Sequence, residues 1–162
     1  MTPTTAHRVV LDTNTIIGAG SRWLSSEPPQ PASPLQCLVH WVASRHVGLY
    51  CQEILAEYVE LMLRRNHPQE RITRYVAFIM ELFTSITVTS TSCHTAPDDP
   101  DDLVFVLCAL DGDADLLVSD DRHLLKIRSA YQPRPDILRP AEASVRLLIP
   151  AMGKEAAGGG PA

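Results

Sequence analysis

Nine of the chain's eleven aspartates fall within Pro97 to Asp121, PDDPDDLVFVLCALDGDADLLVSDD, and that stretch holds no Lys, Arg or His. Carboxylates this dense repel one another. Solvation, helix N-termini or a bound cation can relieve the repulsion. A purely acidic block reads as a disordered tail. Here LVFVLCAL and DLLVS lie inside the block, and apolar runs of that kind have to be buried. The acids therefore sit at the ends of core elements, and any fold proposed for the chain has to place them there.

Length and composition set the class. The 162 residues are 45% hydrophobic, enough for one domain with its own core. No apolar run reaches the roughly 18 residues of a membrane span. MTPTTAHRVVLDTN has no apolar stretch ahead of its first strand, so no signal peptide is expected and the expected location is cytoplasmic. Cys37, Cys51, Cys93 and Cys108 contain no Cys-x-x-Cys pair and read as reduced thiols. The formal net charge is −5, yet outside the acidic block 14 basic residues face 10 acidic ones. A negative site on a mildly basic body suits a metal-dependent enzyme acting on phosphates. Charge alone favours an ordinary acidic cytosolic protein.

Residues 1–7 read as a flexible lead, 8–149 as one domain and 150–162 as a flexible tail. RVVLDTN (8–14) is a buried strand with an acid at its carboxyl end. TIIGAG begins a short helix, and the four prolines of 21–34 mark a surface loop. Residues 33–46 form a helix, with Ser33 as N-cap and Pro34 at the first turn. VGLY (47–50) is a strand. Residues 51–66 and 68–83 are amphipathic helices paired as a hairpin. SITVTS (85–90) is the third strand, and 99–112 a helix capped by Asp99 and stopped by Gly112. DLLVSDD (115–121) is a strand, DRHLLKI a short helix, 136–140 a last strand and 140–149 a last helix. Such alternation implies an α/β fold with a mostly parallel sheet covered by helices on both faces. Sites in such sheets form at the carboxyl ends of the strands, where Asp12, Asp120 and Asp121 lie.

Each acid has a structural use as well as a chemical one. Asp12 can cap the next helix or face a site. Asp99 caps, while Asp101 and Asp102 favour the positive end of the helix dipole. From the third helical position, Asp102 could also reach Asp12. One of Asp120 and Asp121 can cap while the other faces the site. The helix pattern alone does not choose between Glu53, Glu57 and Glu60, and Asp111, Asp113 and Asp115 read as a solvated turn.

VVLDTN, EILAEY, DPDDLVFVLCAL and DLLVSDDRHLL come in the order and spacing of the PIN domain, which the chain resembles over residues 8 to 149. The resemblance is to PIN-type toxins of bacterial toxin–antitoxin systems, related to the VapC group. It implies a three-layer α/β/α sandwich with four to five strands. It also implies an acidic quartet for Mg²⁺ or Mn²⁺, namely Asp12, Glu57, Asp102 and Asp121, with Asp120 as the alternative fourth acid. Asn14 and Ser119 are the implied supporting groups. Two positions depart from the family pattern: Cys51 stands where a Ser often caps, and His123 where an acid is frequent, which bears on a second metal position.

The implied activity is metal-dependent endoribonuclease action leaving a 5′-phosphate. RNA is the substrate, an antitoxin protein is the partner, and homodimerisation is expected. Arg64, Arg65, Arg71 and Arg74, near the helical hairpin, are candidate phosphate contacts. The competing reading is a catalytically weak PIN-like scaffold that binds protein or RNA. A haloacid-dehalogenase-type phosphatase would need Asp-x-Asp after the first strand, where Asp12-Thr13-Asn14 stands. GAG at 18–20 is too short and too late for a nucleotide-binding turn.

Overall fold

Four short apolar segments build the centre of the molecule: RVVL, VGLY, LLV and DIL, each buried on both faces apart from the first residue of the first two. Strands of this kind require helices above and below. The computed structural model describes residues 5–150. Residues 1–4 and 151–162, where most of the expected flexible lead and tail fall, lie outside the described residues.

The elements run β1 (Arg8–Leu11), α1 (Thr13–Ala19), α2 (Pro34–Arg45), β2 (Val47–Tyr50), α3 (Gln52–Arg64), α4 (Gln69–Leu82), β3 (Thr84–Ser85), α5 (Leu103–Asp111), β4 (Leu116–Val118), α6 (Arg122–Leu125), α7 (Arg128–Tyr131), β5 (Asp136–Leu138) and α8 (Pro140–Arg146). Short 3₁₀ turns occupy Arg22–Ser25 and Pro100–Asp102. The sheet order is β3-β2-β1-β4-β5 and every pairing is parallel. The architecture is the α/β/α sandwich with a five-stranded sheet. β1 and β4 are neighbours, so their carboxyl ends emerge side by side.

Local chemistry accounts for the boundaries. Ser33 accepts the Gln36 N–H at 3.2 Å and Pro34 opens α2. Ile54, Tyr58 and Met62 form the buried stripe of α3, with Leu55 and Leu61 packed beside it. Tyr58 donates its hydroxyl to the Leu11 carbonyl at 2.6 Å and thereby fixes α3 against the end of β1. Tyr75 of α4 donates in the same way to the Ile16 carbonyl.

Four expectations need correction. The third strand is Thr84–Ser85, not 85–90: pairing ends as Ile86 N–H meets Tyr50 O at 2.7 Å. The backbone N–H groups of Thr89 and Ser90 turn instead to the Asp111 carboxylate. The proline-rich loop contains a 3₁₀ turn because Trp23 is buried there, its indole N–H on Gly20 O at 2.8 Å and its ring edge-on to Phe78. Asp111 and Asp115 tether the fold rather than only line a solvated turn, whereas Asp113 does lie exposed in that turn. Asp115 accepts the Arg8 N–H at 2.8 Å, and Arg134 pairs with both Asp113 and Asp115. The helix expected at 99–112 opens with the 3₁₀ turn Pro100–Asp102 before α5 begins. In addition, α7 follows α6, an element the sequence reading does not anticipate.

Candidate metal centre

Asp12 directly follows β1 and is 4% exposed. Its backbone N–H donates to Val118 O at 3.0 Å, which ties it to the end of β4. Oδ1 accepts the Thr15 N–H at 2.8 Å and caps α1. Oδ2 accepts the hydroxyl of Ser119, the residue that directly follows β4. Burial raises the Asp12 carboxyl above its ordinary range, the bonds from Ser119 and Thr15 oppose that, and the negative charge of Asp121 adds to it.

Ser119 is fully buried and has a second bond: its oxygen accepts the Asp121 N–H at 2.9 Å. One hydroxyl thus joins the first acid to the turn carrying the last. Asp121 accepts the His123 N–H at 2.8 Å through Oδ1 and caps α6, yet it is also a close electrostatic neighbour of Asp12 and Asp102. Asp120 is exposed and faces Arg139, 3.8 Å away. Of the two consecutive acids, the one turned towards Asp12 and Asp102 is therefore Asp121, and it caps as well.

Asp102 ends the 3₁₀ turn before α5, with 13% of its side chain exposed. Its carboxyl is pushed up to about 6, first by burial and then by the charges of Asp121 and Asp99, with His123 pulling the other way. Asp99 accepts the Asp101 N–H at 3.0 Å as the expected cap. It is also part of a second grouping: Asp99, Asp102 and His123 bring ligand atoms within 4.8 Å of one another. From sequence, Asp99 is expected only as a cap and His123 only as a departure from the family pattern. Asp99 and Asp102 stand three apart on one tight turn, and that spacing was the available signal.

Glu57 is half-buried on α3, whereas Glu53 and Glu60 are exposed. Burial raises its carboxyl, and the charges of Asp101, Asp12 and Glu60 raise it further. Its neighbour Tyr58, anchored on Leu11, holds this turn of α3 at the strand end. Asn14 lies exposed in the first turn of α1. The four arginines are not gathered at the carboxylates. Arg64 pairs with Glu60, Arg74 pairs with Glu70, Arg65 is exposed and Arg71 is half-buried. Arg64 is seven residues beyond Glu57, about 10 Å along the helix.

Among the described residues no Lys or Arg forms an ion pair with Asp12, Glu57, Asp99, Asp102 or Asp121. Lys126, in the last turn before α7, is held by Asp98 at 2.8 Å. Among the described residues the one basic side chain paired with any of the five is His123, whose Nδ1 lies 3.9 Å from both Asp102 Oδ2 and Asp121 Oδ1. Asp102 Oδ2 and His123 Nδ1 are shielded from solvent and hydrogen-bond to nothing among the described residues. Buried polar atoms without partners are costly, and converging oxygen donors without a counter-charge fit a hard divalent cation.

A protein-family model described as PIN domain matches residues 8–123. The chain belongs to the PIN domain family. PIN domains are generally metal-dependent nucleases acting on nucleic acid. The matched span of this PIN domain runs from β1 into α6 and contains Asp12, Glu57, Asp99, Asp102, Asp121 and His123. α7, β5 and α8 lie beyond it. No curated protein matches the chain. No helix among the described residues is long and apolar enough to cross a membrane.

Proposed function

We propose that this PIN domain is a Mg²⁺- or Mn²⁺-dependent endoribonuclease whose metal is held by Asp12, Glu57, Asp102 and Asp121, and that it serves as the toxin of a toxin–antitoxin pair of the VapC-related kind. The observation that carries the reading is the meeting of Asp12, Asp102 and Asp121 at the carboxyl ends of β1 and β4, with no Lys or Arg paired to them among the described residues. A divalent ion bound there supplies Lewis-acid activation of water and neutralises charge developing on the phosphodiester.

The chain's own groups do the positioning. Thr15 N–H and the Ser119 hydroxyl occupy one direction on each Asp12 oxygen and hold the carboxylate in one orientation. Ser119 also fixes the backbone that presents Asp121. Glu57 approaches from α3 on the Tyr58 anchor. Of the candidate RNA contacts, Arg65 and Arg71 make no ion pair among the described residues and are the better placed to meet phosphates; Arg64 and Arg74 would first give up Glu60 and Glu70. The antitoxin partner, in this reading, places an Arg against the unpaired carboxylates, and the protein pairs as a homodimer.

The test is cleavage of a mixed-sequence RNA by purified protein with Mg²⁺ or Mn²⁺, beside a chelator control and Asp12→Asn. The expected result is metal-dependent cleavage with 5′-phosphate ends that disappears in the variant while its circular dichroism is unchanged. Undiminished cleavage by Asp12→Asn overturns the site assignment. Metal binding without cleavage by the unaltered protein points instead to a PIN scaffold that acts as a binding module.

A further inference from the structure

We infer that His123 is a metal ligand of this PIN domain, completing an oxygen, oxygen, nitrogen donor set with Asp99 and Asp102 that biases the centre towards Mn²⁺ over Mg²⁺. The inference rests on the reading that the carboxylate site holds a divalent cation, and it adds the ion's identity and two ligands outside the acidic quartet, Asp99 and His123.

Three observations support it. The donor atoms of Asp99, Asp102 and His123 all lie within 4.8 Å of one another. Nδ1 of His123 and Oδ2 of Asp102 face each other at 3.9 Å, both shielded from solvent and both without a hydrogen-bond partner among the described residues. The main chain that carries the ring is also held in place: the His123 backbone N–H donates to Asp121 Oδ1 at 2.8 Å, and the next residue, Leu124, is fully buried.

The distance separates the two roles open to this imidazole. A protonated ring serving only as a counter-charge would close on a carboxylate to roughly 2.7–2.9 Å, the range of charge-assisted hydrogen bonds. Nδ1 stands off at 3.9 Å from Asp102 and at 3.9 Å from Asp121, bonded to neither. Donors about 2.1 Å from a shared octahedral ion are separated by roughly 3 Å when adjacent and about 4.2 Å when opposite, and the observed gap falls within that range. Imidazole nitrogen favours first-row transition metals, whereas Mg²⁺ prefers oxygen donors and retained water. Mn²⁺ accepts carboxylate and imidazole together, so replacing an acid by His at position 123 shifts preference without discarding the hard ligands.

Electron spin-echo spectroscopy of the full chain loaded with Mn²⁺ tests this directly, since it detects coupling between the metal's electron spin and a ligand nitrogen. Coupling is expected in the unaltered protein and is expected to vanish in His123→Asp. Competition titrations should show the Mn²⁺-over-Mg²⁺ preference falling by roughly tenfold or more in that variant. The unaltered protein needs no substitution to give its signal, so a variant that fails to fold does not decide the matter. Mn²⁺ bound without nitrogen coupling overturns this inference and leaves the carboxylate site standing. Coupling that persists in a folded His123→Asp overturns it too, by naming another histidine. Absence of Mn²⁺ binding overturns both this inference and the metal-dependent reading beneath it.

Discussion

Asp12 shows how one buried carboxylate is made usable. Both oxygens are engaged, one by the Thr15 N–H and one by the Ser119 hydroxyl, so the group is aimed before any ligand arrives. Ser119→Ala removes the donor to Asp12 and the acceptor of the Asp121 N–H together. The expected outcome is a fall in metal affinity of roughly 10- to 100-fold, measured by calorimetric titration, with the fold retained. Asp102 sets the pH response. Its carboxyl sits near 6, raised by burial and by Asp121 and Asp99, so below that pH a cation has to displace a proton. Apparent metal affinity should therefore be level above about pH 7 and fall by about tenfold per unit below pH 6. Affinity that stays flat down to pH 5 would remove Asp102 from the ligand set.

The elements bring these residues together through a few contacts that do not depend on the acids themselves. α3 is set by the Tyr58 hydroxyl on Leu11 O, one residue from Glu57. β2 lies against Phe83, and a Cβ on Gly48 would come 2.6 Å from that ring. Gly48→Ala forces Phe83 out of place and should destabilise the protein by about 1–3 kcal/mol, read from the urea midpoint, without altering metal affinity in the folded protein. Much of this level was legible in sequence. A β-branched apolar run gave β1, Ser33-Pro34 gave the start of α2, and the stripe Ile54, Tyr58, Met62 gave the inward face of α3. Where one residue has two uses, local sequence shows only one of them. Asp121 both caps α6 and neighbours Asp12, Asp99 both caps and offers a ligand atom, and Thr89–Ser90 left the sheet for Asp111. Local patterns report a residue's nearest use, whereas these second uses depend on partners many positions away in the chain.

At the scale of the whole molecule, the site works against the stability of the metal-free fold. Burial raises the carboxyls of Asp12, Glu57 and Asp102 above their ordinary values. A carboxyl raised in the folded state binds more protons folded than unfolded, so the stability it contributes at low pH is lost as pH rises through the folded value. For Asp102 the window runs from the ordinary 3.8 to about 6, and the loss across it amounts to at most about 3 kcal/mol for this one group. Asp102→Asn removes the ionisation. It should raise the melting temperature of the metal-free protein at pH 7.5 by several degrees, but not at pH 4, where Asp102 is already largely protonated. Saturating metal should reverse the ranking. At a hundred times its dissociation constant an ion adds about 2.7 kcal/mol to the protein that binds it, and the variant, lacking a ligand, should gain much less. Thermal scans of both proteins at the two pH values, with and without Mn²⁺, give the measurement. An Asp102→Asn protein that is no more stable than the parent at pH 7.5 without metal would mean that the carboxylates relieve their repulsion by some route other than a cation, and that the acidic stretch is a structural device first.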